Sequence, residues 1–95
     1  MCPSIVVLGD IGTDHDGFHP SPVIAASPDV FLDNKPVARQ GDALEPHDKP
    51  NNPPHPRSIA AGVGSVLVNG QLIAVTGKPV DCGGVVIGSS SGQAG

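Results

Sequence analysis

The sequence predicts an all-β domain of three β-hairpin-like units with approximate threefold symmetry and long loops, and three observations carry that prediction. The run Val30 to Gly41 is repeated without gaps as Val66 to Gly77, at an offset of 36 residues. Each copy places two turn-forming residues, Asp33-Asn34 or Asn69-Gly70, between short apolar runs, the pattern of a β-hairpin with a two-residue turn. No apolar pattern at helical period with caps is present, and Pro46 to Pro56 is too interrupted by proline for a continuous helix.

Taken in order, Ile5 to Asp10 resembles the second strand of each hairpin together with the Gly41-Asp42 that follows it. Gly83 to Gly88 resembles a leading strand, so the two chain ends are expected to complete a third, split unit. Val23-Ile24-Ala25-Ala26 and Ser58-Ile59-Ala60-Ala61 each stand just ahead of a hairpin. Asp10 to Pro22 and Asp42 to Arg57 read as long loops holding all four histidines, and loops of that length are functional or disordered. Residues 89–95, mostly Ser and Gly, read as a flexible tail. With 95 residues there is room for one domain, 1–95.

Composition narrows the function. Only Phe18 and Phe31 are aromatic, so the core must be a thin one of Val, Ile, Leu and Ala that needs a staple. A formal net charge of −4 argues against a phosphate backbone as partner. No run approaches the roughly 18 apolar residues of a membrane span, and no signal peptide is legible. Two cysteines, Cys2 and Cys82, cannot make a framework of several disulfides. That leaves a metal or assembly as the staple.

The repeat phases the candidate ligands. Counting from the Gly that ends each second strand, His15 lies six residues after Gly9, His47 six after Gly41, and Cys82 five after Gly77. A solvated side chain is the commoner explanation for any single loop histidine, and the shared phase is what sets these residues apart. Three related units would bring them together near the axis, and His55 can supply a fourth donor. Three imidazoles and a thiolate suit tetrahedral Zn2+, with iron as the alternative ion. His19 has no counterpart in the other units and is the expected bystander. Cys2 reads as a small buried hydrophobe or free thiol, and a Cys2–Cys82 bridge stays open.

The chain resembles the PAAR-repeat proteins, which cap the spikes of bacterial type VI secretion systems and related contractile phage tails. The resemblance rests on Ser27 to Asp42, where Pro36-Val37-Ala38-Arg39 stands for Pro-Ala-Ala-Arg, on Asp81-Cys82-Gly83-Gly84, and on Glu45-Pro46-His47. It departs at Leu72-Ile73-Ala74-Val75, which keeps only the Ala, and at Asp16, where Gly is common. It implies a cone of three hairpin units with a zinc near the vertex held by His15, His47, His55 and Cys82. It also implies a broad base seated on a trimeric VgrG-type β-helical spike, one copy per trimer. Phe31, Val37, Leu67 and Ile73 are the residues expected at that base. The implied protein is a monomer alone, is made in the bacterial cytoplasm, and leaves with the contractile apparatus to pierce a target membrane. Effector or adaptor proteins could dock on its outer surface, although the chain leaves no room for a fused toxin. A phage tail tip is the second reading.

Enzyme readings fare worse. Four protein ligands leave a zinc no open position for water, and the single Glu45 is the only glutamate available as a base, so a zinc-dependent hydrolase is the weaker alternative. Gly88-Ser89-Ser90-Ser91-Gly92 matches G-x-S-x-G without the helix that a nucleophile elbow requires. Asp14-x-Asp16-Gly17 opens like a calcium loop but has Ala25 where the bidentate Glu belongs. Gly62-x-Gly64 lacks the Lys and helix of a phosphate loop.

Overall fold

The computed structural model describes residues 3–13, 18–49 and 52–94. Among them there is no helix, and short strands form four small antiparallel sheets. The chain runs through β1 (Ile11–Gly12), β2 (Ser21–Pro22), β3 (Phe31–Leu32), β4 (Lys35–Pro36), β5 (Ala43–Lys49), β6 (Asn52–Ser58), β7 (Val63–Val68), β8 (Gln71–Ile73) and β9 (Val86–Ile87). One sheet has the order β2-β1-β9, and the others are the hairpins β3-β4, β5-β6 and β7-β8.

Both expected hairpins form, and their turns explain why. Asp33 and Asn34 have φ of 55° and 65°, and Asn69 and Gly70 have 53° and 81°. Two successive positive φ values are the requirement of a type I′ turn, whose twist matches that of the strands it joins. Asp, Asn and Gly are the residues that enter this region at least cost.

The second strands of the units meet in a closed ring. The N–H of Val6 donates to Ala74 O (2.9 Å), that of Ala74 to Ala38 O (3.1 Å), and that of Ala38 to Val6 O (2.9 Å). The next residues repeat the cycle, with Leu8 donating to Pro36 O, Gln40 to Leu72 O and Thr76 to Ser4 O at 2.8, 2.8 and 2.9 Å. Gly9, Gly41 and Gly77 then donate to Val23, Ile59 and Val86 O at 3.0, 2.8 and 2.9 Å. These three glycines share φ values of 91°, 93° and 94°, which only Gly adopts without strain. A ring of this kind leaves the three strands no open edge between them. Val6, Ala38 and Ala74 on it are fully buried, and small side chains are what allow three backbones to approach so closely.

The third unit is built differently from expectation. Val86 occupies the position of Val23 and Ile59, so 83–88 corresponds to the segment ahead of a hairpin and not to a leading strand. The leading strand is supplied by 92–94. Ile5 N–H donates to Gly92 O as Val37 N–H donates to Val30 O, both at 2.9 Å, and Ser4 bridges Gln93 as Pro36 pairs with Phe31. Residues 89–94, which read as a tail, are hydrogen-bonded to the rest of the chain. Ser89 donates through N–H and Oγ to Asp10, Ser90 Oγ donates to Ile5 O (2.7 Å), and Ser91 donates through N–H and Oγ to Asp33. The serine run that reads as flexible is used as a row of hydrogen-bond donors.

The ring separates two apolar clusters. On one side lie Val6, Val23, Ala38, Leu44, Ile59, Ala74, Val80 and Val86, with Cys82 packed against them. On the other lie Val7, Val37, Val68, Ile73, Val75 and Ala94, with Ile5, Leu32, Val63 and Val66. Of the four residues expected at the base, Phe31 (57% exposed) and Leu67 (62%) face solvent, whereas Val37 and Ile73 belong to this second cluster. Alternation along a strand sends neighbours to opposite faces, and the sequence alone does not say which face is covered. Arg39 caps the same region with a two-pronged ion pair, Nε to Asp42 Oδ2 and Nη2 to Oδ1, each 2.9 Å. Asp42 also accepts the N–H of Arg39, as Asp10 accepts that of Val7. The hydrogen bonds to Asp42 raise the Arg39 pKa above its ordinary value.

Candidate metal centre

Asp42 to Arg57, expected as a loop, is a paired hairpin. Ala43 faces Ser58 and Leu44 faces Arg57, and after an irregularity His47 faces His55. The register of β5 and β6 is irregular between Leu44 and Lys49, and bulges of this kind are where a strand tolerates proline. This register, not loop flexibility, brings the two imidazoles together. Cys82 arrives from the third unit on a tight turn, where Gly83 N–H donates to Val80 O (3.0 Å) and Gly84 O accepts from Val80 (3.0 Å). Asp81 fastens that turn to the end of β6 by accepting Ser58 N–H and Oγ–H, both at 3.0 Å.

The result is a compact donor set. His47 Nε2 lies 2.6 Å from His55 Nε2 and 3.6 Å from Cys82 Sγ, and the ligand atoms of the three residues all lie within 4.8 Å of one another. His47 is fully buried, and the other two are half-buried. His47 Nδ1 lies 2.7 Å from His19 O. A carbonyl can only accept, so Nδ1 carries the proton, and the Nε2 lone pair faces His55 and Cys82.

His47, His55 and Cys82 are a group that could hold a metal ion. For a tetrahedral zinc, bonds near 2.0 Å to nitrogen and 2.3 Å to sulfur require N···S edges of about 3.5 Å and N···N edges of about 3.3 Å. The His47–Cys82 spacing meets the first value. The two imidazoles lie at hydrogen-bond distance and must part by about 0.7 Å to meet the second. His15, the fourth expected ligand, lies outside the described residues, as do Cys2 and the Asp14-x-Asp16-Gly17 segment.

Three contributors were not legible as such. Phe18 covers the imidazoles, stacked on His47 with ring centroids 5.0 Å apart and edge-on to His55 at 4.4 Å. His19, expected as a bystander, acts through its backbone carbonyl. Arg57 is 2% exposed and donates Nε–H to Cys82 Sγ (3.3 Å). A lone aromatic, a main-chain oxygen and one arginine in a Pro-rich run carry no spacing signal. Ser90 of the G-x-S-x-G match spends its hydroxyl on a backbone carbonyl and is not followed by a helix.

The PAAR motif family model matches residues 12–88 of the 95. The chain belongs to the PAAR-motif family. The match spans the hairpins, the ring strands Pro36 to Arg39 and Leu72 to Val75, and the His47–His55–Cys82 cluster. PAAR-motif proteins are structural spike-tip proteins of type VI secretion systems and contractile phage tails, and the described residues of this chain form small sheets without a helix. No curated protein matches the chain. No helix among the described residues is long and apolar enough to cross a membrane.

Proposed function

We propose that this PAAR-motif chain caps the blunt end of a trimeric VgrG-type β-helical spike, one copy per trimer. We further propose that a zinc ion held by His15, His47, His55 and Cys82 stiffens the opposite end as a membrane-piercing point. The observation that carries the capping reading is the threefold recurrence of the backbone hydrogen bonds through Val6, Ala38 and Ala74. A single chain that presents one pattern three times about an axis can meet three identical partners at once. The exposed Phe31 and Leu67, each on a hairpin, give that surface apolar side chains to bury. A bound zinc supplies directional bonds between separated segments, and structural sites of this type contribute about 10–16 kcal/mol of apparent binding energy to folding.

The role is mechanical and involves no catalysis. His47 and His55 approach from one hairpin and Cys82 from a separate turn packed on the apolar cluster, so ligation would clamp these segments to one another. The extents of 40 × 27 × 21 Å are those of an elongated body, as a point requires. The chain would be synthesised in the bacterial cytoplasm and carried out with the contractile apparatus, with effectors or adaptors docked on its flank. Mixing the purified domain with a trimeric spike fragment and measuring mass by light scattering tests the cap. One copy per trimer is expected, with the free domain monomeric, and three copies per trimer would falsify it.

A further inference from the structure

We propose that Arg57 is a positioning residue for the sulfur corner of the metal centre, holding Cys82 Sγ where a metal meets it together with His47 and His55. The proposal rests on the reading of those residues as a metal centre. All five N–H groups of the guanidinium are engaged. Nε–H goes to Cys82 Sγ (3.3 Å), Nη1 to Gly12 O (3.2 Å) and Ser21 Oγ (3.0 Å), and Nη2 to Thr13 O (2.7 Å) and Gly83 O (3.2 Å). One planar group thus joins β1, β2, the Cys82 turn and β6, the strand that bears His55.

The surroundings are shaped for it. A Cβ on Gly12 would sit 3.3 Å from Nη1, and one on Gly84 would sit 3.3 Å from Nη2 and 2.7 Å from Thr13 O. The closest neighbour is Leu44 Cδ2 at Gly12 and Thr13 O at Gly84, and the guanidinium packs tightly beside both glycines. The planar, pre-organised donors of arginine suit this geometry, and a lysine ammonium at the end of a flexible stem cannot reproduce it. A cysteine ligand binds metal as thiolate, and an N–H from a cation to that sulfur is a charge-assisted hydrogen bond. Partners of this kind orient ligands, and their loss commonly weakens metal affinity 10–100-fold.

The test uses the full chain loaded with Co2+, whose sulfur-to-metal charge-transfer absorption reports the Cys82 bond directly. In Arg57→Lys the band is expected to weaken or shift and Co2+ affinity to fall by about 10–100-fold. Melting of the metal-free variant is measured alongside. A merely structural role lowers that melting temperature and leaves the loaded protein's sulfur band and affinity intact, which overturns the proposal. Should Arg57→Lys fail to fold, Ser21→Ala carries the same test. It removes one acceptor of the fork without touching His47, His55 or Cys82 themselves, and an unchanged band and affinity in that folded variant overturn the proposal equally. If the wild-type protein itself gives no sulfur band, the metal-centre reading fails. A normal wild-type band with an unperturbed variant removes only the role of Arg57.

Discussion

Around the ring of Val6, Ala38 and Ala74 the main-chain hydrogen bonds recur three times, although Lys78 stands where Asp10 and Asp42 accept a strand N–H, whereas at His47, His55 and Cys82 the segments differ in length and in ligand. The ring region is held by backbone pairing, I′ turns and apolar side chains, all of which tolerate repetition because each unit satisfies itself and its neighbour in the same way. The metal end has a single small centre to fill. One unit extends into the long β5-β6 hairpin carrying two imidazoles, and another contributes a thiol on a short turn. The backbone pattern recurs where pairing and packing suffice, and the segments differ where one set of donors converges on one point.

The sharpest way to break this comparison is to remove the metal. Chelation, or Cys82→Ser or His47→Ala, is expected to abolish tight zinc binding and lower the melting temperature, since structural sites of this class contribute about 10–16 kcal/mol of apparent binding energy. Amide protection should fall at β5, β6 and the Cys82 turn and persist at the ring strands. His19→Ala serves as the milder comparison, because it keeps the carbonyl that His47 Nδ1 contacts and removes a ring that lies edge-on to His47 at 6.0 Å. Equal losses from Cys82→Ser and His19→Ala would count against the ligand assignment, and uniform loss of protection would count against two ends held by different physics.

Sequence reasoning reached the repetitive end more fully than the other. Two hairpins and their turns were readable because Asp33-Asn34 and Asn69-Gly70 are local signals, and the split unit was readable because Ile5 to Asp10 repeats a second strand. Its closing strand was misplaced, because the 92–94 segment has no apolar run and is recognisable by its pairing with Pro3 to Ile5 in the fold. At the metal end, phase from Gly41 and Gly77 selected His47 and Cys82, which the fold does bring together with His55. The hairpin that does so was missed, since proline depresses strand propensity wherever the strand is assumed to be internal. Contacts from Phe18, Arg57 and the His19 carbonyl come from long-range packing, on which a linear pattern is silent.

A second, smaller effect tests the repetition itself. Gly9 and Gly77 share φ near 91° and 94°, and a Cβ at either would meet nothing within 4 Å. Substitution therefore carries backbone strain and no steric clash. Gly9→Ala and Gly77→Ala are each expected to destabilise by about 1–2 kcal/mol, and by similar amounts, in denaturant titrations. Gly41→Ala adds a contact of 3.2 Å with the Gln71 side chain and should cost at least as much. Clearly unequal values at Gly9 and Gly77 would mean that the shared hydrogen-bond pattern does not make the units energetically equivalent.

Acid supplies the smallest effect, and it acts on the hairpin end. Hydrogen bonds from Asn69 and then Ser27 hold the Asp29 carboxyl below its ordinary 3.8, and the N–H and then the hydroxyl of Ser91 do the same for Asp33. A carboxyl whose folded pKa is depressed contributes stability that is fully present above its unfolded value and is lost as pH falls through the folded one. Stability of this end should thus be flat above about pH 5 and decline below about pH 4. Both carboxylates are solvent-exposed, so the decline is modest and shrinks with added salt. In the chelated protein, Asp33→Asn together with Asp29→Asn should remove much of that acid-dependent loss. A chelated double variant that keeps the full decline would place the acid-sensitive contacts elsewhere than at the hairpin turns.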